Sequence, residues 1–315
     1  MTAMRPREWG MLILLSVIWG GSFFFVEVAL RGFQPFVLVF LRVALAASIL
    51  TVVVYASGKR LPTATGTWLG FALMGVLNNA VPFSLIAWGQ TRIDSGIASI
   101  LNATTPIFTV LLAHFLTRDE RLTFNKLCGV GIGFLGVFVL FQPQLKSGVS
   151  WQGLGQAAVL TAAICYSLSG IYGKRFKTIS PIVTSAGMLI CSSILMLPPA
   201  LTAGLLDFNQ ASLEAVAAIG GLATISTAVA YLLYFRILSS AGATNVLLVT
   251  FLIPVSAIIL GVGLLGEELQ RNELVGMACI FAGLGIIDGR VIRSMQHQVV
   301  GRGRRRRLSK TNPLS

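Results

Sequence analysis

Along the chain, apolar residues come in runs of about twenty, broken by short polar clusters, without the period-2 alternation of a membrane β-barrel strand. This pattern predicts ten membrane-spanning helices. They fall over 9–30, 36–57, 68–88, 95–116 and 126–141, then over 151–172, 181–205, 215–235, 241–265 and 273–287. Gly58-Lys59-Arg60 and Lys174-Arg175-Phe176-Lys177 are typical of the punctuation between them. Ser180 before Pro181 reads as an N-cap followed by proline at the first helical position. The first run follows Arg5 and Arg7, as a signal peptide would. It lacks a small-residue cleavage site leading into polar sequence, so it reads as the first helix.

Composition agrees with the pattern. Of 315 residues 55% are hydrophobic and 11% charged, and the mean hydropathy is +0.82, whereas soluble domains carry about 25% charged residues. An ordinary cytosolic enzyme, a disordered chain and a secreted disulfide scaffold are excluded; an all-α integral membrane protein is expected, with the lipid bilayer as its surroundings. The 33 glycines suit close helix approach where lipid offers little driving force for association. The net charge of +13 is unevenly spread: with the N-terminus inside, nineteen Lys and Arg fall on the cytoplasmic side and four on the other. The positive-inside rule therefore places both termini in the cytoplasm. Residues 1–8 form an N-terminal tail and residues 291–315 a basic C-terminal tail. Arg304 to Arg307 read as a topology-fixing tail near acidic headgroups, not as a nucleic-acid site.

The two halves resemble each other. Ser95-Gly96 begins a stretch with Asn102, Thr104, Thr105 and Pro106, then Asp119-Glu120, Gly129 and Gly136; Ala241-Gly242 begins one with Asn245, Thr250 and Pro254, then Glu267-Glu268, Gly276 and Gly283. Residues 9–142 and 151–290 each hold five predicted helices. Five is odd, so the second copy enters the membrane from the opposite face, as in inverted-repeat carriers. Trp19-Gly20-Gly21-Ser22-Phe23-Phe24, Phe40-Leu41-Arg42, Ala103 to Thr109 and Asp119-Glu120-Arg121-Leu122 resemble the EamA family of the drug/metabolite transporter superfamily, over about Trp9 to Ile287. That resemblance implies a ten-helix, 5+5 inverted-repeat carrier of the bacterial inner membrane that exports amino acids or related metabolites. The chain has Glu27 where the family often has a basic residue, and Tyr166 where an aromatic, commonly Trp, starts the second repeat.

Arg42 lies well inside a span, where a cation costs about 2.5–3.5 kcal/mol on insertion scales. It is expected to meet a substrate carboxylate or Glu27, or else to snorkel to the outer headgroups. Glu27 is a candidate for proton coupling, with pairing to Arg31 as the plainer alternative. Pro106 and Pro254 are expected to kink matching helices and to act at a cavity or gate, with Asn102, Thr105, Asn245 and Thr250 supplying polar groups nearby. Trp19, Ser22, Phe23, Asn78, Asn79, Tyr166, Ser169, Thr227 and Tyr231 complete a candidate substrate cavity of hydrogen-bonding groups among aromatic walls. Trp88 and Tyr234 sit nearer helix ends, as an interfacial belt would.

Gly129 and Gly133 form a small-xxx-small pair for helix packing or a homodimer. Cys128, Cys165, Cys191 and Cys279 are spaced as single buried hydrophobes, and His114 and His297 are far apart, so neither disulfides, metal nor cofactor are expected. A secondary carrier of a small-molecule solute is the leading reading. Efflux of cationic drugs, or carriage of sugars or nucleosides, are alternatives of the same kind. A lipid-modifying enzyme is disfavoured because Asp119-Glu120 and Glu267-Glu268 fall on opposite sides of the membrane.

Overall fold

The apolar runs become helices because each must satisfy its own backbone hydrogen bonds wherever water is excluded. The computed structural model describes residues 4–117, 122–147, 150–206, 211–241, 243–246 and 248–288. Arg118 to Arg121, Gly242 and the basic tail lie outside the described residues. We number the helices α1 (Pro6–Leu30), α2 (Pro35–Ala56), α3 (Thr65–Gln90), α4 (Ser95–Leu116) and α5 (Phe124–Ser147). The second half gives α6 (Trp151–Phe176), α7 (Pro181–Thr202), α8 (Leu213–Ala241), α9 (Val249–Leu265) and α10 (Arg271–Asp288). A single turn, Ala243–Val246, precedes α9. No strand occurs among the described residues.

Helices α1 to α8 are each long and apolar enough to cross a membrane, and α9 is a shorter apolar helix. Helix α10 carries Arg271, Glu273 and Asp288 near its ends. Side chains such as Val52 (67% exposed), Phe124 (79%) and Leu213 (85%) point outward. So much outward apolar surface has no place in water; it matches lipid, and the chain is a multi-pass membrane protein.

Helix ends follow local chemistry. Ser150 Oγ accepts from Gly153 N–H and Ser212 Oγ from Ala215 N–H, each as an N-cap. Ser180 also stands at an N-cap before Pro181, but its side chain makes no cap bond. Its hydroxyl accepts instead from Lys59 Nζ at 2.7 Å, joining the α2–α3 and α6–α7 connections at one end of the molecule.

Helix α1 packs on α8 and α9, α6 on α3 and α4, α2 on α7, and α5 on α10. One core cluster gathers Leu38, Leu50, Leu189 and Leu222; a second gathers Leu12, Leu101, Val159 and Ile253. Tyr166 packs against both. The α5–α10 contact is backbone-close: a Cβ on Gly129 would lie 2.6 Å from the Gly283 carbonyl oxygen, and one on Gly136 equally near that of Gly276. The glycine face read as a packing or dimer surface is therefore taken up by α10 of the same chain.

Three helices are interrupted by π turns, at Val76–Ala80, Thr224–Val229 and Gly261–Leu265. Helix α4 breaks at Ala103–Thr104, just before Pro106. Pro106 thus opens the segment Thr105–Leu116 within its first turn, where its missing N–H leaves no bond unmade. Thr105 Oγ donates to the Asn102 carbonyl at 2.7 Å across the break. Pro254 sits inside a continuous helix, Val249–Leu260. The expected pair of matching proline kinks is corrected accordingly: the two prolines occupy different local structures.

Candidate functional site

The π turns of α3 and α8 widen the helix by one residue and turn polar side chains inward. From α3 come Asn78 and the fully buried Asn79; from α8 comes Thr227, 2% exposed, whose hydroxyl donates to the Leu222 carbonyl five residues back. Arg42 reaches them from α2. It is 8% exposed, its Nε donates to Thr227 Oγ1 at 3.0 Å, and its guanidinium lies 3.8 Å from the Phe83 ring centroid. A cation over a desolvated aromatic face gains about 2 kcal/mol. Arg42 therefore neither snorkels nor meets Glu27; a hydroxyl and a ring hold it in the interior.

A hydrogen-bonded chain continues from there. Asn78 Nδ2 donates to Tyr231 Oη at 2.9 Å, and Ser169 Oγ donates to Asn78 Oδ1 at 2.9 Å. Tyr166 and Tyr231 are the ionisable groups that act on Arg42 among the described residues. Asn79 Nδ2 has no hydrogen-bond partner there. Seven sequence candidates thus meet in one cluster built from α2, α3, α6 and α8: Arg42, Asn78, Asn79, Tyr166, Ser169, Thr227 and Tyr231.

The other candidates lie around this cluster or apart from it. Trp19 packs on Tyr234, ring centroids 5.6 Å apart, which moves Tyr234 from the expected interfacial belt to an interior aromatic contact. Ser22 Oγ donates to the Trp19 carbonyl of its own helix. Phe23 is a core side chain, 5% exposed; its part in the polar architecture is its carbonyl, which accepts from Gln90 Nε2 at 2.9 Å. Thr105 is tied to the break in α4, and its carbonyl accepts from Ser167 Oγ at 2.8 Å. Asn102 Oδ1 is buried without a partner. Asn245 Nδ2 donates back to the Ala241 carbonyl at 2.7 Å, and Thr250 is half-buried near the start of α9.

Glu27 belongs to a different group. Gln90 Nε2 approaches its Oε2 at 3.4 Å, and its charged neighbours are Glu267, Asp94 and Arg31. Gly266, at φ +72°, takes the left-handed turn that favours glycine and brings Glu267 across to the start of α4. There Glu267 accepts from the backbone N–H of Ser95 at 2.8 Å and of Gly96 at 3.0 Å. Asp94, the α4 N-cap, makes no side-chain cap bond. Burial, and then the nearby Glu267 carboxylate, push its carboxyl above the ordinary range.

Sequence reasoning passed over Phe83 and Glu267. Nothing local distinguishes Phe83 among 19 phenylalanines. For Glu267 the signal was present: an acid beside a glycine, opposite a helix start that has no side-chain cap of its own.

Comparison with known proteins follows from this geometry. The model of the EamA-like transporter family matches residues 8–142 and again 153–287. The "Uncharacterized inner membrane transporter YedA" of Escherichia coli K12 is 27% identical over 286 residues, covering 88% of this chain and 90% of that protein. An "Uncharacterized transporter" of Archaeoglobus fulgidus is also 27% identical, covering 89% and 98%. The "Probable amino-acid metabolite efflux pump" of Escherichia coli K12 is 25% identical over 296 residues, covering 90% and 95%. A crystal structure aligns with a TM-score of 0.63 at 17% identity, over 90% of this chain and 98% of that one, a likeness of fold alone. With both halves matched by the family model, the chain belongs to the EamA-like transporter family and is a membrane transporter.

Proposed function

We propose that the protein is a secondary-active carrier that exports amino acids or related small metabolites across a bacterial inner membrane by alternating access. The observation that carries this reading is the buried polar cluster around Arg42, assembled from α2 and α3 of the first half and α6 and α8 of the second. A polar site enclosed between two halves of a membrane protein is the arrangement that alternating access requires.

The helix contacts support ten spans in two inverted five-helix repeats. Exchanging each helix for the one five places away converts α1–α9 packing into α6–α4, α1–α8 into α6–α3, and α2–α8 into α7–α3, all of which occur. The α2–α7 and α5–α10 pairs map onto themselves. Both termini in the cytoplasm follows from the charge distribution. Proton coupling through Glu27 has support in its position beside Gln90 among other carboxylates. The metabolite class draws on the efflux pump of Escherichia coli.

Counterflow in proteoliposomes tests the reading, using labelled amino acids, N-acylated amino acids, 2-oxo acids and aromatic amines with and without a pH gradient. Saturable exchange of a panel member supports a carrier, and acceleration by the gradient supports protons as the coupling ion. Linear, non-saturating flux would overturn the carrier mechanism. Pyranine-reported proton movement unchanged in Glu27→Gln would remove Glu27 from the coupling path.

A further inference from the structure

Arg42 is a cation in a cluster whose other members are neutral. One of its five N–H donors has a protein acceptor among the described residues, the Thr227 hydroxyl, and the Phe83 ring covers one face of the guanidinium. Neither group neutralises the charge. The ionisable groups acting on it are two phenols, Tyr166 and Tyr231, and no carboxylate among the described residues does so. Asn79, fully buried beside the same hydroxyls, contributes a further donor without an acceptor. A buried cation without a counter-charge, next to an unmatched amide donor, leaves the cluster short of an anion.

The acids that a cationic group would seek are gathered elsewhere. Glu27, Asp94 and Glu267 act on one another around Gln90 and the start of α4, and none of them acts on Arg42. At the Arg42 cluster a carboxylate would gain charge-assisted, bidentate donors. An ammonium there would meet only neutral acceptors and a like charge. Resting on the carrier reading above, we propose that Arg42 and Asn79 form an anion subsite, so that the cargo is an organic monoanion: a carboxylate on an otherwise neutral, partly apolar body, as in N-acylated amino acids and 2-oxo acids. Trp19, Tyr234 and Phe235 offer aromatic surface for that body. Zwitterionic amino acids and cationic compounds are discriminated against by the same charge.

The test is binding by the full chain in detergent, followed by tryptophan fluorescence and ligand-dependent thermal unfolding. The probes share one ring and differ in charge: N-acetyl-L-phenylalanine and phenylpyruvate as monoanions, L-phenylalanine as the zwitterion, and phenethylamine as the cation. Both monoanions are expected to bind at least about tenfold more tightly than the other two. Arg42→Gln is expected to lower monoanion affinity by more than about tenfold, while Arg42→Lys retains part of it. Phenylalanine or phenethylamine binding as tightly as the monoanions, unchanged monoanion affinity in a folded Arg42→Gln, or no saturable monoanion binding would each overturn the proposal. The wild-type ranking stands whether or not a variant folds. Counterflow on the same preparations separates the two levels. Exchange of phenylalanine or phenethylamine without monoanion exchange removes the anion subsite and leaves the carrier. No exchange by any of the four, or by the wider metabolite panel, removes the carrier as well.

Discussion

Removing the Glu267 side chain is the most direct test of how the α9–α10 connection is joined to α4. Its two oxygens accept from Ser95 N–H at 2.8 Å and Gly96 N–H at 3.0 Å. Ser95 is fully buried, and Asp94 supplies no side-chain cap in their place. Hydrogen bonds to a charged group contribute about 1.5–3 kcal/mol each. Glu267 is half-buried and water can enter after truncation, so we take the lower end, about 2 kcal/mol for the pair in Glu267→Ala, in line with the loss of a helix cap. Glu267→Gln keeps one acceptor and turns an NH2 toward the second donor, which predicts an intermediate loss of about 1 kcal/mol. The assay is amide hydrogen exchange followed by mass spectrometry on peptides covering Ser95 to Ala98. At about 1.4 kcal/mol per tenfold, opening of this turn should speed exchange roughly 30-fold in the Ala variant and about fivefold in the Gln variant. Exchange within a factor of about two of wild type in both variants, with the rest of the chain folded, would refute the cap.

The α5–α10 interface should reject side chains at its contact glycines and accept them where space is open. Gly283→Leu and Gly136→Val should abolish monodisperse elution in size-exclusion chromatography, because overpacking costs about 1–3 kcal/mol or more per site, whereas Gly131→Ala and Gly285→Ala, with nothing within 4 Å, should elute as wild type. A double-mutant cycle of Phe83→Leu with Arg42→Met should yield a coupling of about 2 kcal/mol in denaturant unfolding; a coupling near zero would mean the ring is packing only. Asp94→Asn should raise the thermal midpoint at neutral pH. Because the folded Asp94 holds its proton more tightly than the unfolded chain does, wild type gains stability relative to the variant as pH falls through the folded pKa. The gap should therefore narrow on acidification, and a gap that widens would contradict the burial of Asp94.

The long spans were legible because twenty apolar residues in a row have few other fates. Arg42 was legible for the complementary reason: a cation in such a run must be held by something. What held it was not legible, since Phe83 lies forty-one positions away and Thr227 lies in the other half. The glycines on α5 announced close packing, yet the partner helix is separated from them by most of the chain. Pro106 and Pro254 looked equivalent because sequence spacing matches while helix breaks do not: the chain interrupts α4 before its proline and leaves α9 continuous around Pro254. The π turns were hidden because Val-Leu-Asn-Asn-Ala has no propensity that distinguishes a wide turn from an ordinary one; only packing on neighbouring helices decides.

The wide turn at Val76–Ala80 sets the rotational phase of everything that follows in α3. An ordinary helix advances about 100° per residue, so the additional residue held there decides which way Val81–Gln90 faces. Deleting a single residue from the turn would let the helix run on unbroken, with its length and hydropathy nearly intact. The second half of α3 would then be turned by about a quarter of a revolution. Phe83 would swing off Arg42 and Gln90 off the Phe23 carbonyl, so that one lost residue would leave a membrane-inserted bundle with its interior misaligned. Within this fold, length variation at that position acts as a change of angle.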